Sequence, residues 1–209
     1  MESPITYCEE LLSGKSLPEM ERKISGLHKA MARLKTQVEL PEFADDIRPS
    51  KRTQIGWYRE CLLYARALYE QAGGVYKPSK AERDDYEFNA RVDEIESISF
   101  TRSVCFRGSE SWIVRFTEEN AGIVYLPGFA EPSEPKYFSR NKQEWLEKFK
   151  NIHIGEWHKS YLCLYILDGE QWSLEIGYRD GKLKTYEGSN IYPFSYGDLL
   201  NLLEITPLR

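Results

Sequence analysis

Residues 171–178 leave this chain little conformational freedom. Trp172, Leu174, Ile176 and Tyr178 alternate with Gln171, Ser173, Glu175 and Gly177. Side chains of a strand change face at every residue, so this period of two predicts a half-buried strand with one apolar face. Asp180-Gly181 follows, and both residues tolerate the positive φ of a tight two-residue connection. That predicts a hairpin whose return strand carries Leu183 and Tyr186. Beyond it, Gly188-Ser189-Asn190 and Ile191-Tyr192-Pro193 are rich in turn formers, which makes a loop ahead of a short final helix. A strand with one apolar face needs a second layer to bury it, and the remaining sequence has to supply that layer.

Helical patterning fills the first part of the chain. A short helix over residues 5–12 ends at Ser13-Gly14. Ser16 and Glu19 then form a capping box with Pro18 in the first turn. Met20, Ile24, Leu27, Met31, Leu34 and Val38 recur at alternating spacings of four and three, a heptad seam that Pro41 ends. Ser50 opens another helix running to about Ala72, with Ile55, Tyr58, Leu62, Ala65 and Leu68 or Tyr69 on its stripe and Gly73-Gly74 as its stop. The seam has two candidate partners. It pairs with this stripe in an antiparallel helical hairpin, or with a second copy, so the chain is read as a monomer or a homodimer through the heptad helix. Ser79 and Glu82 make a second capping box, and its helix, ending near Asn89, completes a helical lobe over residues 1–90.

From Ile95 the period changes to two. Ile95, Ile98, Phe100, Val104 and Phe106 outline a strand, residues 112–117 and 122–126 a hairpin, and residues 127–135 a Pro-rich loop; Ser139 or Asn141 then caps a helix with Trp145, Leu146 and Phe149. The fold class is therefore α+β: an N-terminal helical hairpin lobe followed, over residues 91–209, by an antiparallel sheet with helices on one face. Trp112 and Trp172 each begin a strand, turn, strand, loop, helix series, so a ββα duplication is a candidate origin for this domain.

Chemistry is harder to find. His28, His153 and His158 show no HExxH or HxH spacing, and Cys8, Cys61, Cys105 and Cys163 contain no CxxC pair, so no metal site or disulfide framework is expected. No GxSxG elbow and no glycine-rich phosphate loop is present. No catalytic residue and no cofactor is therefore assigned. Asp168, Glu170 and Glu175 lie near Trp172 as the candidates for an acid–base enzyme, but alternation puts Glu175 on the face opposite Trp172. Ser189, Asn190 and Tyr192 form a candidate interaction loop. A net charge of −5 and a pI near 5.4 argue against a broadly basic nucleic-acid binder. Residues 20–70 nonetheless hold ten Lys and Arg against seven Asp and Glu. There Arg22, Lys29 and Arg33 share one helix face, and with Lys51 and Arg52 they form a candidate surface for phosphates or an acidic partner. No apolar run approaches the roughly 18 residues of a membrane span, and no leader pattern opens the chain, so the expected setting is cytoplasmic.

The stretch Trp157…Tyr161…Leu167-Asp168-Gly169-Glu170-Gln171-Trp172-Ser173-Leu174-Glu175-Ile176…Asp180-Gly181…Tyr186-Glu187-Gly188-Ser189-Asn190-Ile191-Tyr192-Pro193 resembles a pattern in uncharacterised proteins of Gram-positive gut bacteria and their mobile elements. The segments TYCEELLSGKS and AGGVYKPSKAE resemble the same group. The resemblance implies a cytoplasmic accessory protein with no catalytic residue to transfer, in a setting that suits an inhibitor similar in role to anti-CRISPR proteins. The expected function is a non-catalytic protein-interaction module, an inhibitor or regulator of a nucleic-acid-directed host defence enzyme. The alternatives are a nucleic-acid-binding accessory protein using the basic helical face and an enzyme using the carboxylates near Trp172.

Overall fold

The computed structural model describes residues 2–40, 48–104, 108–128, 136–163 and 169–205, which fall into two compact units, Met1–Lys80 and Ala81–Arg209. The first unit is helical: α1 (Pro4–Leu12), α2 (Leu17–Val38) and α3 (Lys51–Gln71). Ser16 donates its backbone N–H and its hydroxyl to the Glu19 carboxylate, which starts α2 where the capping box predicts. Met20, Ile24, Leu27, Met31 and Val38 are buried, as are Ile55, Cys61, Leu62, Ala65 and Tyr69 of α3. The α2 seam packs on α3. Five of its six seam residues are thereby buried within the chain. The predicted hairpin is in fact a three-helix unit, because α1 also packs on α3 and buries Cys8 and Leu12.

The second unit begins earlier than position 91. Helix α4 (Lys80–Ala90), assigned by sequence to the helical lobe, belongs here. Phe88 and Asp85 are buried, and the Phe88 ring lies 6.0 Å from that of Phe149 on α5 (Lys142–Lys150). The sheet comprises β1 (Ile95–Val104), β2 (Gly108–Phe116), β3 (Asn120–Leu126), β4 (Lys136–Asn141), β5 (Ser160–Leu162), β6 (Glu170–Tyr178) and β7 (Leu183–Ser189), in the order β4-β3-β2-β1-β6-β7-β5. All neighbours are antiparallel except β5, which runs parallel to β7. The sheet is therefore mixed at one edge rather than purely antiparallel. Asp180-Gly181 turns the β6–β7 hairpin by a longer route than a two-residue connection. Only Gly181 takes a positive φ, 79°, and Tyr178 N–H donates to Lys182 O across a three-residue loop, the geometry of a turn closed by a glycine bulge.

Directly paired residues of antiparallel strands share a face. Ile98, Phe100, Trp112, Val114, Ile123, Trp172, Leu174, Ile176 and Tyr186 therefore form one continuous buried surface. The helices lie on that side. Trp145 of α5 meets Phe116, and Tyr196 of α6 (Tyr196–Leu202) meets Phe100 and Trp172. The same register settles the question of a duplication. β2 and β6 both run antiparallel to β1 and bury their tryptophans on the same face, yet β3 lies outside β2 on one flank and β7 outside β6 on the other. Superposing β2 on β6 would put the second strands on opposite sides. The two ββα segments have opposite hands and are not copies of one unit.

Trp172 is 2% exposed, donates its indole N–H to Ile191 O at 3.0 Å, and fills the space over Gly188 that a side chain there would need. Trp172→Ala is expected to cost about 3–5 kcal/mol, read from denaturant unfolding at unchanged slope.

Candidate functional site

The other side of the sheet is a platform. Cross-strand pairing aligns Tyr137, Val124, Ile113, Ser99, Glu175 and Thr185 in one row, and Leu126, Ser111, Thr101, Ser173 and Glu187 in the next. The ring contacts of α4, α5 and α6 with the sheet are all to residues of the opposite face, and among the described residues of the unit none of these three helices has a ring contact to this one. The centre is made of small hydroxyl side chains, with Thr101 and Ser111 hydrogen-bonded at 3.0 Å. One flank is apolar, through Ile113, Val124, Leu126 and Tyr137, the last 75% exposed. A cleft of 420 Å³ opens where Thr101, Ser103, Gln171, Glu187 and Ser189 meet Leu162. Such a face can accept hydrogen bonds and apolar contact over a wide, shallow area, which suits a macromolecule better than a small substrate.

A polar network plugs one end of the buried face. Arg102, only 6% exposed, stands in phase with Ile98 and Phe100 and pairs with Glu110 at 2.8 Å, while the Tyr125 hydroxyl donates to the other Glu110 oxygen. Close by, the Tyr196 hydroxyl donates to Glu170 at 2.8 Å and its ring packs at a tilt against that of Tyr192, 4.7 Å between centroids. Burial pushes the Glu170 carboxyl up, against the opposing pull of the Tyr196 hydrogen bond and the Arg102 charge. Burial likewise pushes Tyr192 up to about 12 and Tyr196 up further, with the Glu170 charge adding to both. These groups can hold a proton, but they are spent on one another. Sequence reasoning missed Arg102, although a charged residue falling in the apolar phase of a strand was the available signal. A further group of side chains able to ligate metal, Asp85, His153 and Glu156, also converges in this unit.

The sequence candidates scatter. Ser189 lines the platform cleft. Asn190 does internal work instead: at φ 57° its side-chain oxygen accepts the Glu170 N–H and its own N–H donates to Glu170 O, which fastens the start of β6. Tyr192 is half-buried against Tyr196, so the three do not form one exposed loop. Glu170 points to the helix-covered side and Glu175 to the platform, while Asp168 lies outside the described residues. The two described carboxylates are on opposite faces and share no site. Arg22, Lys29, Arg33 and Arg52 are exposed and Lys51 is half-buried, with Arg22 donating from Nε to Pro18 O. Arg22 and Arg33 lie eleven residues apart on α2, about 16 Å along its axis, so the cations form a stripe rather than a cluster.

Comparison with protein-family models, with curated proteins and with solved structures finds no match.

The raised Glu170 carboxyl carries a signed consequence. Between its ordinary value and its higher folded value the native chain binds more protons than the unfolded one, so stability falls as pH rises through that window. Glu170→Gln keeps an acceptor for Tyr196 without the buried charge. Its melting temperature is expected to exceed that of the parent at pH 7, with the difference shrinking as pH is lowered towards 4.5, the ordinary value of the carboxyl; melting curves at stepped pH check this.

Proposed function

We propose that the chain is a non-catalytic protein-interaction module that docks a protein partner on the helix-free platform of its second unit. The observation behind this reading is the platform itself, where the apolar block of Ile113, Val124, Leu126 and Tyr137 continues into rows of hydroxyls. Apolar contact flanked by neutral hydrogen-bonding groups is the make-up of an interface core and its rim. Charge indicates the kind of partner. Residues 81–209 hold 22 Asp and Glu against 15 Lys and Arg, which complements a basic protein surface, such as the one an enzyme uses to hold nucleic acid. The fuller form of the reading is a mobile-element-encoded inhibitor or regulator of a nucleic-acid-directed host defence enzyme, anti-CRISPR-like in role and acting in the cytoplasm.

A second reading, direct nucleic-acid binding in the first unit, is favoured by the exposure of Arg22, Lys29 and Arg33, which share an arc of about 40° on α2. Phosphate contacts there would weaken steeply with salt.

The two readings separate experimentally. Tyr137→Glu and Glu175→Lys are expected each to reduce capture of the partner from a nuclease-treated bacterial lysate by roughly tenfold or more, without moving the melting temperature. Arg22→Glu with Lys29→Glu should leave capture intact. Capture that survives both platform substitutions sinks the first reading, and a low-salt gel shift abolished by the α2 substitutions establishes the second.

A further inference from the structure

Helix α4 and the buried connection after α5 meet at a group of side chains that neither reading uses. Asp85 and Asn89 stand four residues apart on α4, on one face. Opposite them the chain makes a 3₁₀ turn, Ile154–Glu156, whose first carbonyl, His153 O, accepts the Glu156 N–H. Three residues per turn bring positions i and i+3 to the same side of such a turn, so His153 and Glu156 both face α4. Gly155 between them is pressed so closely on Asp85, Asp84 and Phe88 that a Cβ has no room. His153 is held at φ 59°, ψ 45°, a left-handed conformation that a non-glycine residue adopts at a cost.

The polar accounting here does not close. Asp85 is 4% exposed. Its Oδ2 accepts from the Asn89 amide at 3.2 Å and lies 2.7 Å from His153 Nδ1. Asp85 Oδ1 and Asn89 Oδ1 are buried without any hydrogen-bond partner, and so is the Tyr186 hydroxyl, whose proton is held by burial and by neighbouring charges that include Asp85. A buried carboxylate oxygen left unpaired is costly unless a cation or a further donor reaches it. One ligand atom from each of Asp85, His153 and Glu156 lies within 4.8 Å of the others. An ion bound at about 2.0–2.2 Å by imidazole nitrogen and carboxylate oxygen separates its ligands by roughly 3–4 Å, so the side chains need to close by less than 2 Å.

We propose that Asp85, His153 and Glu156 bind a divalent first-row transition ion of the Zn²⁺ or Mn²⁺ class, which clips α4 to the 3₁₀ turn. The imidazole selects against Mg²⁺ and Ca²⁺, which take oxygen ligands, and the absence of thiolate from the set selects against soft Cu(I). The ion supplies the missing partner for the Asp85 oxygen, and one pair of carboxylates balances its charge. The site requires no cleft to solvent and no substrate, so its role is to hold structure. It stands independently of the platform reading.

The full chain, stripped with EDTA and dialysed, is titrated with ZnCl₂, MnCl₂, MgCl₂ and CaCl₂ while thermal unfolding is followed, and retained metal is measured after gel filtration. Zn²⁺ or Mn²⁺ is expected to raise the melting temperature by roughly 5–10 °C at a hundredfold excess over Kd, with one equivalent retained. Glu156→Gln, at a half-exposed position, and His153→Asn, which keeps a residue tolerant of positive φ, should each abolish the shift. His158→Ala, exposed and outside the group, should retain it. The proposal is overturned if neither ion moves the wild-type melting temperature, if the shift survives in both variants, or if Mg²⁺ or Ca²⁺ produces the same shift.

Discussion

The register between β1 and β6 is the constraint on which the second unit depends. Phe100 opposite Leu174 and Ile98 opposite Ile176 put four fully buried side chains in one patch at the centre of the sheet. A one-residue slip of β6 against β1 would send Leu174 and Ile176 to the platform and bring Ser173 and Glu175 under the helices. Everything else in the layer keys to this pairing: Trp172 enters the space left by Gly188, Tyr196 packs on Phe100 and Trp172, and the indole of Trp157 donates to Ser195, which in turn donates to Ile152 O. The hydroxyl-rich composition of the platform follows from the same pairing, since the phase opposite the core is the one free to be polar.

The elements with strong periodicity were legible in the sequence. The α2 seam, the α3 stripe, β1, the β2–β3 and β6–β7 hairpins and α5 all lie where their apolar spacing put them, because in each the pattern is the burial. Two strands were not legible. β4 is exposed along nearly all its length, so it has no apolar alternation to detect. β5 is only three residues long and exists through its neighbour. The placement of α4 was missed for a related reason: helical patterning says that a helix forms, not which body its apolar side joins, and Phe88 meets Phe149 some sixty residues later in the chain.

The polar features were the least legible, because each depends on distant segments. Glu170 becomes a buried carboxyl only when α6 brings Tyr196 to it, and Asn190 becomes a strand fastener only when β6 begins beside it. The histidine case is sharper. His153 and Glu156 have a three-residue spacing that means little in a helix or a loop, and they converge with Asp85 only because a 3₁₀ turn is pressed against α4 through a glycine. Side chains on α2 behave differently. Arg22, Lys29 and Arg33 are exposed as a helical wheel predicts, since a solvated helix face needs no distant contact to define it.

The two rims of the sheet differ in construction but act alike. At one, β4 presents Lys136 and Arg140 from a short exposed strand; at the other, β5 closes β7 with three parallel pairs and then stops. An unpaired strand edge templates the addition of foreign strands, and brevity and lysine or arginine charge are the usual deterrents. A seven-stranded layer with a bare face would otherwise invite stacking and edge-on growth into fibrils. In this chain both rims are short, and one carries cations, so neither edge offers a long neutral template for a foreign strand.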